Sequence, residues 1–409
     1  MREPYRITAA FPVTGAGGSG RVCCTRGLLV LMALLTSSGA AAEPRARDLG
    51  IPFDGTPGPL NAITDLAGVE VGHATLIEGQ GKLVVGKGPV RTGVTAILPR
   101  GKASSDPVFA GTFALNGNGE MTGTAWIEEG GFLEGPVMFT NTHSVGVVRD
   151  AVIAWRLQHG GADASGYYWS LPVVGETWDG DLNDINGFHI RAEHAFAALD
   201  AARGGPVAEG AVGGGTGMIC FEWKGGIGTS SRRLTAKDGG YTVGAIVQCN
   251  TGLRRQVRIA GVPVGREIPE GSFREREQGS ILIVIGTDAP LLPHQLKRLA
   301  RRAALGLGRL GSVAMNGSGD LFLAFSTANP KAADPRGVAH LEMVPNDRLD
   351  PILEAVVQAT EEAIVNALVA GRTMRGAGDF TVLGMPQDRV LALLRKNAAV
   401  PRAAASNRR

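Results

Sequence analysis

Ile281-Leu282-Ile283-Val284-Ile285 is an unbroken, mostly β-branched apolar run. Such a run reads as a strand buried on both faces. A strand of this kind needs a layer of structure on each side, so the chain has to fold as stacked layers. Just upstream the chain is charge-dense (Arg274, Glu275, Arg276, Glu277), and Gln278-Gly279-Ser280 joins the two regimes. A serine at the first position of a buried strand is held rigidly, and a preceding glycine leaves the backbone unobstructed. That combination suits an internal peptide bond that must be bent and attacked. Alone, these residues read first as a loop entering a core strand, and the rest of the chain has to decide.

The layers can be filled. Of 409 residues, 44% are hydrophobic and 19% charged, so a sizeable core forms. The 60 glycines are dispersed, not periodic, which excludes collagen and implies tight turns and close backbone contacts around sheets. Aromatics are only 5%, against a base-stacking nucleic-acid binder. The amino terminus reads as an export leader over residues 1–42. Arg21 and Arg26 precede the apolar core Gly27–Leu35, and Ala40-Ala41-Ala42 supplies a small-residue cleavage site before Glu43. The formal charge of +3 drops to zero without the leader, because Arg2, Arg6, Arg21, Arg26 and Glu3 leave with it. No basic patch for nucleic acid stands out. Cys220 and Cys249 remain after processing, each near the end of an apolar run. Both read first as buried packing residues, and a disulfide between them is permitted in an oxidising compartment but not implied by two residues.

Taken in order, strands are expected at about 69–76, 93–98, 107–115, 137–140 and 171–174. A helix is expected over 145–159, capped by Asn141 or Ser144, and another over 188–203 with Phe188, Ala192, Phe196 and Leu199 on its buried face. Residues 207–250 read as glycine-punctuated strands near 211–223, 225–233 and 240–249. Residues 251–279 read as a basic surface excursion. After Ser280 come a strand over 281–286, a helix over 293–308 opened by Pro293, and a strand over 320–325. The long amphipathic helix 347–371, a strand at 380–383, a helix at 386–396 and a basic tail at 397–409 complete the chain. No interior linker interrupts this α/β (α+β) pattern of helices covering mixed sheets, so one domain is expected.

Familiar catalytic constellations are missing. The chain has no nucleotide-binding P-loop, no H-E-x-x-H and no G-x-S-x-G elbow. His189, Glu193 and His194 on one expected helix read as structural, and Asp179–Asp184 reads as a turn, since it lacks the glycine and terminal acid of a calcium loop. A serine nucleophile without a histidine needs another base. The nucleophile's own α-amine, with a reference pKa near ~8, can serve. That amine exists only if Gly279–Ser280 is cleaved, by attack of the Ser280 hydroxyl on the Gly279 carbonyl and hydrolysis of the resulting ester. Asn316-Gly317-Ser318-Gly319-Asp320 then supplies a hydroxyl and a carboxylate, Ser318 and Asp320, that can relay a proton or hold the amine. Asn250 ends a strand with an amide suited to an oxyanion, and Glu176 follows a buried strand with a carboxylate suited to an ammonium group.

As a set, these residues resemble the family of self-processing P1 peptidases, the L-aminopeptidase/D-esterase (DmpA) and β-aminopeptidase type. The resemblance runs from Arg45 to about Asn329. It includes Arg45–Ile51, Asn61–Asp65, Gly93–Ala96, Gly279-Ser280, Asp288–Pro293 and Asn316–Phe322 in this order. It implies a four-layer αββα sandwich related to ornithine acetyltransferase, cut into an α chain (43–279) and a β chain (280–409). It further implies that Ser280 is the freed nucleophile, that Ser318 and Asp320 support it, that Asn250 binds the oxyanion and that Glu176 binds the substrate amine. Some members place a tyrosine hydroxyl in the oxyanion hole where this chain has Trp178, whose indole donates a hydrogen bond but cannot accept one. Tyr167 and Tyr168 stand nearby as other candidates for the second oxyanion donor.

The resemblance thus implies a serine aminopeptidase, amidase or esterase that needs no metal or organic cofactor. Its partners would be small peptides, amides or esters with a free amine, and further copies of the αβ unit in a homo-oligomer. Nucleic acid and stable membrane association are not expected, and the compartment would be periplasmic or extracellular. Two other readings are an acyltransferase of the ornithine acetyltransferase type and a non-catalytic periplasmic binding protein on the same scaffold.

Overall fold

A computed structural model of the chain describes residues 44–276 and 278–398. The expected leader (1–42) and residues 399–409 of the expected tail lie outside them. In chain order the strands are β1 (Glu70–Glu78), β2 (Val90–Leu98), β3 (Val108–Gly117), β4 (Phe132–Leu133), β5 (Val137–Asn141), β6 (Val173–Thr177), β7 (Ile219–Cys220) and β8 (Trp223–Lys224). They continue with β9 (Gly226–Arg233), β10 (Thr242–Asn250), β11 (Ser280–Thr287), β12 (Gly319–Ser326), β13 (Met374–Arg375) and β14 (Thr381–Val382). The helices are α1 (Thr124–Gly130), α2 (Val145–Gln158), α3 (Ala192–Asp200), α4 (Val264–Glu267), α5 (Pro293–Arg309), α6 (Asp350–Ala370) and α7 (Gln387–Lys396).

The expected central strand is β11, in the middle of a six-stranded sheet ordered β4-β3-β12-β11-β10-β9. Its side chains alternate, as the pleat requires. Ile281, Ile283 and Ile285 enter a core built with Leu296, Leu299 and Ala303 of α5 and Ile352, Val356 and Ala359 of α6. Leu282 and Val284 point the other way, into a core shared with Val137, Phe139 and Val173 of a second sheet ordered β1-β2-β5-β6. The outer face of that second sheet carries Val94, Ala96, Met138 and Val174, covered by Val148 and Trp155 of α2 and Ala195 and Leu199 of α3. The order of layers is therefore α, β, β, α. Each aliphatic side chain fully buried between layers contributes about 1.5–3 kcal/mol, which is why a run with no polar position is stable only at the centre of such a stack.

Several local expectations are corrected. The helix expected over 188–203 starts only at Ala192. Phe188 lies outside it, in the left-handed region (φ 52°), and is exposed. The turn is set earlier, where His189 Nε2 meets Asp184 Oδ2 at 2.8 Å, and Arg191 N–H donates to His194 Nδ1 at 3.0 Å to open the helix. Ser144 does stand at the start of α2, but its side chain makes no cap bond. Residues 211–223 are not one strand. Gly213–Gly215 forms a 3-10 turn packed so closely that a Cβ on Gly215 would lie 2.5 Å from Ile227 N. The excursion 251–279 is not all surface. Arg254 is buried, its guanidinium 3.8 Å from the Trp223 ring centroid, and its backbone N–H donates to Glu222 at 2.7 Å. Cys220 and Cys249, left open by the sequence, form a disulfide.

Candidate active site

Six strands meet at one edge of the two-sheet core. β5 and β6 run parallel and both end there, β3 and β10 also end there, and β11 and β12 run parallel and begin there. The polar residues found at this edge are the ones just past the apolar stretches. Ser280, first in β11, is paired with Asn250 across β10 and with Gly319 across β12. Its Oγ accepts a hydrogen bond from Gly319 N–H at 3.1 Å. Ser318, in the turn just before β12, donates through Oγ to Asp320 Oδ1 at 2.8 Å, and Thr251 Oγ1 lies 3.4 Å from the same hydroxyl. Ser318 and Asp320 are fully buried, and Ser280 is 7% exposed. A nucleophilic oxygen thus sits at the surface of an otherwise buried cluster of hydroxyl and carboxylate groups.

Gly279 holds the bond before Ser280 against the end of β10. A Cβ there would lie 2.0 Å from the carbonyl oxygen of Asn250, a distance no side chain tolerates. Asn250 is itself buried and fully oriented. Its Oδ1 accepts Ile219 N–H at 2.7 Å, and its Nδ2 donates to the carbonyl of Trp178 at 2.8 Å. The amide carries a second N–H on the same nitrogen, so the geometry that fixes its plane leaves it a donor's chemistry.

The cleft in front of Ser280 has a volume of about 350 Å³ and is lined by Glu176, Trp178, Thr142, Asn118 and Gln278. That is the lower end of the range for ligand pockets, enough for one amino acid and a small leaving group. Glu176 is not the loop carboxylate expected from sequence, because β6 runs on through it to Thr177. It is 4% exposed, its Oε2 accepts from the Thr142 hydroxyl, and its Oε1 accepts from Glu120 N–H at 3.0 Å. Burial raises its pKa, and the two hydrogen bonds oppose that rise. A carboxylate so placed gains from a cationic partner. Trp178 is 39% exposed, edge-on to His143, and its indole forms part of the wall. Asp181 lines the cleft as well and is paired with Arg274.

Ser280, Gly279, Ser318, Asp320, Asn250, Glu176 and Trp178 are therefore gathered at one edge, although they come from four stretches of chain. Tyr167 and Tyr168 are not among them. Tyr167 is 65% exposed, and Tyr168 lines a separate surface hollow with Arg156 and His159. Thr142, Asn118 and Thr251 were missed. Each directly follows a strand end rich in polar residues, and the meeting of strand ends at a cleft is the pattern that points to them. Asn118 Nδ2 donates to Gly317 O at 3.0 Å, tying the glycine-rich loop after β3 to the loop that carries Ser318. Among the described residues no group of three His, Cys, Asp or Glu side chains is arranged to hold a metal ion, and no helix is long and apolar enough to cross a membrane.

The sequence profile of peptidase family S58 matches residues 61–382. The β-peptidyl aminopeptidase BapA of Sphingosinicella microcystinivorans is 54% identical over 384 residues, spanning 90% of this chain and 96% of that protein. The solved structure of the L-aminopeptidase D-Ala-esterase/amidase from Ochrobactrum anthropi, described as a prototype of the serine aminopeptidases and a variant of the Ntn hydrolase fold, matches with a TM-score of 0.82 at 47% identity. It covers 88% of this chain and 100% of its own. A β-aminopeptidase from Burkholderia sp. matches with a TM-score of 0.80 at 51% identity, over 88% of this chain and 100% of its own.

Proposed function

The chain belongs to peptidase family S58, and on that premise we propose how its residues carry out the chemistry. It is a serine aminopeptidase of the N-terminal-nucleophile class. In the proposed first step Ser280 Oγ attacks the carbonyl carbon of Gly279. The C–N bond breaks as the C–O ester forms, and the Ser280 nitrogen takes up a proton to become a free amine. Water then hydrolyses the ester, leaving an α chain that ends at Gly279 and a β chain that begins at Ser280.

The same oxygen afterwards attacks the acyl carbon of a substrate. The new α-amine, near ~8 in pKa, accepts the hydroxyl proton and returns it to the leaving amine. The Ser318–Asp320 pair keeps that amine hydrogen-bonded and can pass a proton on. The Asn250 amide faces the oxyanion, where one donor is worth about 10²–10³ in rate. Glu176 binds the substrate's ammonium group, which restricts substrates to those with a free amino terminus. A cleft of this size favours small peptides, amides and esters. The 54% identity to a β-peptidyl aminopeptidase supports β-amino acids among the residues released. A buried disulfide supports an oxidising compartment, in keeping with export, and we propose that αβ units assemble into homo-oligomers.

The observation that carries this reading is Ser280 Oγ held by Gly319 N–H at the mouth of a cleft that also exposes a buried carboxylate. Ser280→Ala tests it with an aminoacyl-nitroanilide as substrate. The variant is expected to stay one chain and release no nitroaniline; a cleaved or active variant would refute the assignment.

A further inference from the structure

An amide that serves an oxyanion has to point one way, and Asn250 is held at both ends by hydrogen bonds from outside its own sheet. The bond to its Oδ1 comes from Ile219, on β7, which among the described residues pairs as a strand with β8 alone, in a ribbon of two residues per strand. So short a ribbon does not hold itself in place. Cys220 directly follows Ile219, and Cys249 directly precedes Asn250. The disulfide between them therefore joins the chain neighbours of the donor and the acceptor, with their Cα atoms 5.4 Å apart and both side chains fully buried. From the other side, the buried ammonium of Lys224 donates to Met218 O at 2.8 Å and Gly225 O at 2.9 Å, bracing the ribbon where the chain enters and leaves it. Burial lowers that lysine's pKa to about 7, and no carboxylate among the described residues is paired with it.

We infer that the Cys220–Cys249 disulfide is a positioning element for Asn250, so that the oxidation state of this cysteine pair sets the rates of self-cleavage and of turnover. This rests on the proposed reading of Asn250 as an oxyanion donor. Both reactions pass through a tetrahedral oxyanion formed when Ser280 Oγ attacks an acyl carbon, that of Gly279 or of the substrate, so both use the same amide. Forming the bond joins the two Sγ atoms and releases two protons and two electrons. These reduce one low-molecular-weight disulfide, such as glutathione disulfide, to two thiols. In the dithiol state the ribbon keeps the Lys224 brace and the bond from Phe221 N–H to Thr251 O at 2.6 Å, but loses the covalent tie beside Ile219, so the bond to Oδ1 is held less firmly and the amide plane is fixed chiefly through Nδ2.

A double-mutant comparison on the full-length protein tests this. Cys220→Ala with Cys249→Ala, made together so that no lone thiol remains, is expected to lower kcat by about tenfold or more, short of the ~10²–10³ of a deleted oxyanion donor. KM stays within about twofold, because Glu176 is untouched. In an Asn250→Ala background the same cysteine changes are expected to leave kcat unchanged. Equal losses in the two backgrounds would show a general packing role and overturn the inference. If Asn250→Ala alone keeps full kcat, the oxyanion reading fails and the inference with it. Should the cysteine variant not fold, wild-type protein reduced with a phosphine and assayed before and after reoxidation by glutathione disulfide decides the matter. The expected result is a loss of kcat restored on reoxidation, and full activity of the verified dithiol form would overturn the proposal.

Discussion

Gly279→Ala places a single methyl group at the bond on which the account turns. An ideal Cβ there lies 2.0 Å from Asn250 O and 2.8 Å from Thr251 Cα. Ordinary carbon–oxygen contacts begin at about 3.3 Å, so the residue has to move by about 1 Å or more. Neither obstacle can rotate away, since both are backbone atoms at the end of β10, a strand paired on both sides. The carbonyl to be attacked belongs to residue 279 and moves with it. A misplacement of that size costs about 10²-fold, or roughly 2.7 kcal/mol of barrier. Self-cleavage of the variant, followed as the fraction of two-chain product on denaturing gels after rapid purification, should be slower than wild type by about that factor. Once the bond is cut, residue 279 is a chain end and the crowding is relieved. The cleaved fraction should then hydrolyse an aminoacyl-nitroanilide with wild-type kcat. Cleavage of the variant at the wild-type rate would refute the reasoning.

Three further changes probe the cleft and its support. Glu176 binds an ammonium only when ionised, and burial raises its pKa, so KM should fall as pH rises through a point above the usual carboxylate value. Glu176→Gln should give a high, pH-independent KM across that range, with kcat/KM lower by about thirtyfold or more at neutral pH, the ~2–5 kcal/mol of a buried charge partner; a pH-dependent KM that survives the change would exclude Glu176. Ser318→Ala should lower kcat by about 10² or more in steady-state assays while leaving KM nearly unchanged, and an unaffected kcat would remove the hydroxyl from the proton path. Asp179 is fully buried, accepts from Asn141 and Asn183, and burial raises its pKa from 3.8 to about 6. The folded protein keeps that proton where the unfolded chain has lost it, so this stabilisation is complete below pH 3.8 and is lost as pH rises to about 6. Asp179→Asn should flatten the decline of Tm over that window, and an unchanged decline would mean another group titrates there.

The parts of this structure that were legible from sequence are those where one physical requirement dominates. An apolar run from Ile281 to Ile285 can only be central, and its layered setting follows. The Ser318 and Asp320 pair was visible because Asn316-Gly317 marks a turn immediately before a strand. What sequence could not show depended on partners far along the chain. Phe188 has the spacing of a helix face, yet the contact between Asp184 and His189 closes a turn there and leaves the ring exposed. Arg254 reads as a surface cation, but Glu222, held in a left-handed turn, and the ring of Trp223 take it into the core. Two cysteines allow a bond without requiring one, and only the approach of the β7–β8 ribbon to β10 makes it. Thr142 carried no motif of its own, and its contact with Glu176 arises because β5 and β6 end side by side.

Intact mass spectrometry of the purified protein tests the central claim most directly. The account predicts two polypeptides, one ending at Gly279 and one beginning at Ser280 with an unmodified α-amine, in every preparation that hydrolyses substrate. An active preparation consisting of one uncut chain, or cut at any other bond, would contradict it.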